Sequence, residues 1–372
     1  MLPYVGVFLA TAGAVLLVTP LIRLLSVKVG AIVQPSPRMV HPKPIPTMGG
    51  LAMVVGVLVG LGVAYLLPTF RVLFTFSEVQ GVILAVLAIA AVGVVDDVRT
   101  LSAPAKVAGQ VLAGGLLTLN GVELLFFYLP KQGTISLGSD LAVPLTIAWV
   151  VIVVNAVNLI DGLDGLAAGI VVIAAGAFFV YAYRTPSSFA EPSSTAALLS
   201  AVTAGAALGF LPYNFHPARI IMGDTGSMML GVMLAAATIS GIGRTVQQVP
   251  TGHDIAAFFI PALLPVLVLT VPLVDVALAI LRRLRKHARV FAPDKEHIHH
   301  QLMEIGHSHR QAVLLMYLWS AVVAGSALAI TYAKTGTTAV LVGGFAVLVI
   351  AVTIVPRVWR AARRSKRAAT PG

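Results

Sequence analysis

Four short polar clusters interrupt an otherwise apolar chain, and each carries side chains suited to holding phosphate or a hard cation. The first is Asp96-Asp97, followed by Lys106 and Gln110 in the pattern D-D-x3-L-x4-K-x3-Q. Adjacent carboxylates repel, so they are retained most easily beside a cation, whether a metal or Lys106. A solvated acidic pair closing a helix end is the plainer alternative. Lys106 and Gln110 lie one helical turn apart on a common face, which favours a site. The second cluster, Asn155-x-x-Asn158-x-x-Asp161-Gly162-x-Asp164-Gly165, sets four polar side chains into apolar sequence. Polar groups near bilayer depth are costly unless they pair or line a cavity, and the two glycines permit a tight turn close to a ligand. The competing reading is that the asparagines only join helices by hydrogen bonds.

The third cluster, Gly223-Asp224-Thr225-Gly226-Ser227, opens an apolar run. A helix start of this kind has free N–H groups that could cradle phosphate, and Asp224 could hold a metal that bridges phosphate oxygens; an ordinary N-cap would look the same. The fourth is Asp294-Lys295-Glu296-His297-Ile298-His299-His300, with Arg282, Arg283 and Arg285 upstream and His307, His309 and Arg310 downstream. The histidine spacing does not match a zinc helix and no thiolate completes a set, so imidazole and guanidinium contacts to phosphate fit better. The arginines also suit plain membrane anchoring from a helix end. Asp275 stands alone inside an apolar run and is expected to support the site through a basic partner.

These clusters need elements to hold them, and the composition says which kind. Hydrophobic residues make up 58% of the 372 positions and charged residues 10%, against roughly a quarter charged in soluble domains. Cysteine is absent, which removes disulfides, thiolate metal sites and thiol nucleophiles, and leaves a hard cation held by oxygen as the natural metal. Apolar runs at 3–21, 49–67, 79–95, 104–119, 141–157, 166–183, 195–212, 227–242, 255–281, 312–332 and 338–355 approach the ~20 residues needed to cross a bilayer. The expected fold is therefore all-α, with about eleven transmembrane helices. The first run lacks a basic segment before it and is expected to be retained as a helix.

Eleven crossings place the termini on opposite sides. Of the 25 lysines and arginines, only Arg71, Lys131, Arg184, Arg244 and Lys334 then fall on the N-terminal side. The positive-inside rule makes the C-terminal side cytoplasmic and the N-terminus external. Expected cytoplasmic loops are 24–48, 96–103, 158–165, 213–226 and 282–311. Prolines at 35, 37, 42, 44 and 46 forbid helix in the first of these. A single transmembrane domain would span 1–356, with 357–372 a basic tail against inner-leaflet anionic lipid. The net charge of +11 is thus explained by topology, and no nucleic-acid partner is expected.

In this order and on these loops, the four clusters resemble the polyprenyl-phosphate N-acetylhexosamine-1-phosphate transferase family over residues 41–311. Within it, His41-Pro42-Lys43-Pro44 through Gly50, together with residues 292–300, looks like the branch that passes N-acetylglucosamine-1-phosphate from UDP-GlcNAc to undecaprenyl phosphate and so initiates cell-envelope polysaccharide. The resemblance implies a plasma-membrane enzyme with its active site facing the cytoplasm, using Mg²⁺, for which Mn²⁺ could substitute. It implies that Asp224 and Asn158 bind the metal, with Asp97 beside them in the metal set. Asp96 or Asp97 would orient or deprotonate the lipid phosphate, and Lys106 would neutralise charge. Asp161 and Asp164 would serve catalysis or nucleotide recognition, while Lys43, Asn155, Asn158, Arg282, His297, His299 and His300 would bind substrate. The runner-up is the peptidoglycan branch that transfers phospho-MurNAc-pentapeptide, whose histidine motif differs from the Glu296-His297-Ile298-His299-His300-Gln301 found here. An ion-coupled transporter is the rival from another class, and a homodimer is left open.

Overall fold

A backbone in hydrocarbon must satisfy its own N–H and C=O groups, so apolar runs of this length are driven to helix. A computed structural model of the chain describes residues 1–34, 44–129, 133–184, 194–242 and 307–332, together with Gly344. Within these, the helices are α1 (Leu2–Val29), α2 (Gly49–Leu66), α3 (Glu78–Val98), α4 (Ala103–Leu119), α5 (Ser139–Ile160), α6 (Leu166–Arg184), α7 (Thr195–Asn214), α8 (Gly223–Ile242) and α9 (His309–Tyr332). Seven of them, all but α4 and α8, are long and apolar enough to cross a membrane. The chain is a multi-pass, mostly helical membrane protein. The runs expected at 255–281 and 338–355, and the tail, lie outside the described residues.

Two small hairpins and a 3-10 helix add to the helical expectation. Strands β1 (Ile32–Val33) and β2 (Ile45–Pro46) pair antiparallel, as do β3 (Phe126–Leu129) and β4 (Gly133–Ser136). The 3-10 turn spans Pro68–Thr75 and buries Phe70 and Leu73. Helix ends also differ from the apolar runs, and the differences matter at the site. Helix α1 carries Arg23 and Lys28 within its last turns, ending at Gly30 in the left-handed region. Helix α3 runs through Asp96 and Asp97, which therefore sit in its final turn, and α8 begins at Gly223, ahead of its apolar stretch. Hydropathy cannot see these extensions, because their polar residues are satisfied by other helices.

Helix α8 is apolar on all sides and almost wholly buried from Met228 to Ala237. It packs against α2, α3, α5 and α7 and forms the axis of the bundle. Lipid gives no hydrophobic push between helices, so close backbone approach through small residues does the joining. Gly50 of α2 lies on the backbone of Gly226, Gly93 of α3 on Thr225, and Gly231 of α8 on Val154 of α5. The same device joins α7 to α1, where Gly205 and Gly209 meet the backbone of Phe8 and Ala12. Leu2, Leu9, Leu17 and Leu24 of α1 face outward, as lipid contacts require.

The segment before α2 is sewn to the segment before α8. Ile221 donates to the Pro46 carbonyl at 3.0 Å, Gly49 to Ile221 at 3.0 Å and Gly50 to Met222 at 2.8 Å. These bonds fix the start of α8 against the start of α2. A Cβ at Gly50 would overlap the Gly226 backbone. Gly50→Ala is accordingly expected to destabilise the protein by about 1–3 kcal/mol, the usual cost of overpacking, read as a lower melting temperature in detergent.

Candidate active site

The ends of α3 and α5 and the starts of α4 and α8 meet at one end of the bundle, and three of the four polar clusters meet with them. Lys106, in the first turn of α4, places Nζ 2.8 Å from Asp96 Oδ2 and 2.6 Å from Asp224 Oδ2. One ammonium thus joins two carboxylates that are 128 residues apart by number and would otherwise repel. Asp96 is held further by the backbone N–H of Leu101, which donates to its Oδ1 at 2.7 Å. The other oxygen of Asp224 receives Asn158 Nδ2 at 3.2 Å, and that amide also donates to Ser227 Oγ at 2.9 Å.

Asp97 takes a different place. Its Oδ1 accepts the Asp224 N–H at 2.9 Å and the Thr47 hydroxyl at 3.4 Å. Its Oδ2 accepts the Thr225 hydroxyl at 2.6 Å and the Thr225 N–H at 3.4 Å. The α8 amides expected to cradle phosphate are therefore already engaged by a carboxylate of the protein itself, which satisfies the orphan donors of a helix start as an external anion would.

Asp161 follows the last residue of α5. Part of the residue's surface stays open, while its carboxyl is enclosed by protein. Burial pushes that carboxyl well above the usual carboxylate range, and the negative charges of Asp224, Asp97 and Asp164 push it further. Among the described residues no cation answers it. Four neighbouring acids suit a hard divalent cation, which Asp224 and Asn158, in contact with each other, could hold together with Asp161, near enough to feel the Asp224 charge. The Lys106 ammonium between Asp96 and Asp224 shows that the pocket already accommodates positive charge.

Asp164 is buried and turned away from Asp224. Its Oδ2 lies 2.8 Å from His216 Nδ1 and accepts the Ala218 N–H at 3.0 Å. A buried carboxylate against Nδ1 fixes the imidazole's tautomer and orientation. The His216 ring lies against that of His309, with centroids 4.2 Å apart and planes tilted by 32°. Candidate ligand atoms of Asp164, His216 and His309 fall within 4.8 Å of one another. Arg310 Nε donates to the His216 carbonyl at 2.8 Å. The turn itself is clamped by Asn214, whose Oδ1 accepts the Gly165 N–H at 3.0 Å, and by the Tyr317 hydroxyl of α9 on the Gly165 carbonyl.

Asn155 lies one turn deeper on α5, donating to Gln110 Oε1 at 2.6 Å and to the Val151 carbonyl at 2.7 Å. It joins α5 to α4 below the carboxylates. Lys43, Arg282, His297, His299, His300 and Asp275 lie outside the described residues. Thr47, His216, Asn214 and Tyr317 were not singled out from the sequence. A lone histidine in the short polar break between α7 and α8 was the only available signal for His216; the others look like ordinary loop or core residues until the fold brings them in.

Lys106→Met leaves two carboxylates facing each other. Removing one partner of a buried pair costs about 3–5 kcal/mol. Lys106 is 26% exposed, and solvent screening reduces this to about 1–2 kcal/mol. The variant should melt at a lower temperature, and millimolar Mg²⁺ should recover part of the difference if a divalent cation can take the ammonium's place.

The family model described as glycosyl transferase family 4 matches residues 79–242. The chain is 42% identical over 344 residues, covering 90% of its length and 84% of the relative, to the decaprenyl-phosphate N-acetylglucosaminephosphotransferase of Mycolicibacterium smegmatis. It is 37% identical over 319 residues, 86% of its length and 82% of the relative, to a probable undecaprenyl-phosphate N-acetylglucosaminyl 1-phosphate transferase of Bacillus subtilis. Similarity to the phospho-N-acetylmuramoyl-pentapeptide-transferase of Halalkalibacterium halodurans, at 38% identity, covers 52% of the chain and 60% of the relative.

Proposed function

This chain belongs to glycosyl transferase family 4, in the group of polyprenyl-phosphate N-acetylglucosamine-phosphate transferases, and on that premise we propose that it transfers N-acetylglucosamine-1-phosphate from UDP-GlcNAc to a polyprenyl phosphate, initiating a cell-envelope polysaccharide. The observation that carries the reading is the meeting of Asp96, Lys106, Asn158, Asp161 and Asp224 at one end of the bundle. Their side chains sit at helix ends. A transporter would place such groups near the bilayer midplane between half-helices. The similarity to the pentapeptide transferase stops at about half of the chain, which favours the N-acetylglucosamine branch. The excess of lysine and arginine on the C-terminal side supports a cytoplasm-facing site in the plasma membrane.

In this reading an oxygen of the lipid phosphate attacks the β-phosphorus of UDP-GlcNAc. The new P–O bond forms as the bond to the bridging oxygen breaks, and UMP leaves with that electron pair. Two anions must meet for this to happen. At ~4 Å two unit charges repel by about 1 kcal/mol in water and about 4 kcal/mol near a protein surface. Lys106 offsets part of that repulsion and steers the acceptor phosphate toward the donor. Mg²⁺ held by Asp224, Asn158 and Asp161 would neutralise the donor diphosphate. The Asn158 amide can present its oxygen to a cation from the same position. The acceptor phosphate has a second pKa near ~6 and is largely dianionic at neutral pH, so direct attack needs no strong base. Lys43, Arg282, His297, His299 and His300, which the family resemblance marks as substrate-binding, are proposed to bind the diphosphate and sugar.

The reading is tested with detergent-purified protein, labelled UDP-GlcNAc and either undecaprenyl or decaprenyl phosphate. Label should pass to lipid with Mg²⁺ present and stop on adding EDTA. Asp224→Asn should lose at least about 3 kcal/mol of transition-state stabilisation, more than a hundredfold in kcat/KM. Wild-type turnover in that variant would remove Asp224 from the metal shell. Transfer from UDP-MurNAc-pentapeptide in place of UDP-GlcNAc would move the chain to the peptidoglycan branch.

A further inference from the structure

Adjacent aspartates invite one shared role, yet the two side chains have separate partners. Asp96 faces Lys106, whereas Asp97 faces the first turn of α8. A carboxylate offers about four lone-pair directions. Asp97 fills them with the Asp224 N–H, the Thr225 N–H, the Thr225 hydroxyl and the Thr47 hydroxyl. Negative charge at a helix N-terminus is favoured by the free amides and the macrodipole.

The surrounding backbone is shaped for this contact. Gly223 adopts φ +67, and a Cβ there would overlap both Asp97 oxygens. Gly93, one turn before Asp97, lets α3 lie directly on Thr225. Thr47 brings in the segment sewn to residues 221 and 222. Two separate stretches of chain thus converge on this one carboxylate of α3. Asp224 is then held twice, its backbone by Asp97 and its side chain by Lys106 and Asn158.

We propose that Asp97 is a positioning residue that caps α8 from a neighbouring helix and aims the Asp224 carboxylate, and that it neither ligates the metal nor reacts with substrate. The proposal rests on the reading of Asp224 as a metal ligand. It also separates the roles within the Asp96-Asp97 pair: Asp96 works through Lys106, and Asp97 through the α8 backbone.

The absence of cysteine makes a clean test available, because an introduced cysteine would supply the only thiolate in the protein. Asp224→Cys and Asp97→Cys are purified in detergent, checked for folding by thermal unfolding, and assayed with Mg²⁺ and with Cd²⁺. Asp224→Cys should be inactive with Mg²⁺ and gain at least tenfold with Cd²⁺; Asp97→Cys should gain nothing from Cd²⁺. In parallel, Asp97→Asn should stay within about tenfold of wild type, since its one amide oxygen still accepts from the first turn of α8 while only the bonds to the other oxygen are lost. Its Mg²⁺ requirement should shift upward. Asp97→Ala, with no acceptor, should fall about a further tenfold. Activation of Asp97→Cys by Cd²⁺ would make Asp97 a direct ligand and overturn the proposal. Equal and complete loss in Asp97→Asn and Asp97→Ala at saturating Mg²⁺ would overturn it in favour of direct chemistry. If Asp224→Cys shows no response to Cd²⁺, the metal reading of Asp224 fails, while the comparison of Asn with Ala still judges the capping role.

Discussion

The contact between the Asp97 carboxylate and the first turn of α8 orders the rest of this site. A helix start packed against its neighbours has orphan N–H groups, and a half-buried carboxylate has lone pairs with the same need. Each answers the other here, and their meeting locks α3 to α8. Because α8 is the axis of the bundle, whatever fixes its end also fixes the helices around it. Asp224, one residue into α8, inherits its position from this junction.

Small residues make the junction reachable. The separation between α3 and α8, and between α2 and α8, is set by Gly93, Gly50 and Gly226, where any side chain would hold the backbones apart. In lipid such contacts are the main cohesive term, so packing and site geometry are two consequences of the same residues. A substitution far from any reacting atom can therefore misplace Asp224 without touching it.

Among the described residues the acids of the site outnumber its cations. Asp96, Asp97, Asp161, Asp164 and Asp224 lie close together, yet among the described residues the only lysine or arginine ion-paired to them is Lys106. Two of the acids are settled internally, Asp97 by hydrogen bonds to α8 and Asp164 by His216 and Ala218. Asp161 and Asp224 remain with capacity for a cation. Among the described residues that imbalance would suit the divalent ion that the proposed transfer calls for.

The sequence by itself determined that the chain is a helical membrane protein, because apolar length and the scarcity of charge are local properties that need no partner. It also located the polar clusters, since Asp96, Lys106, Asn158, Asp161 and Asp224 stand out against apolar surroundings wherever the chain runs. Only the tertiary structure decided what each acid does. Asp96 and Asp97 are neighbours with the same side chain, and which one meets Lys106 and which one meets α8 depends on the rotation of the last turn of α3 against two other helices. The same holds for Asn155 and Asn158, one turn apart on α5, of which one joins Gln110 and the other Asp224. His216, Thr47 and Tyr317 were silent for the same reason: their importance lies in contacts across 50 or more residues of chain, which no local pattern encodes.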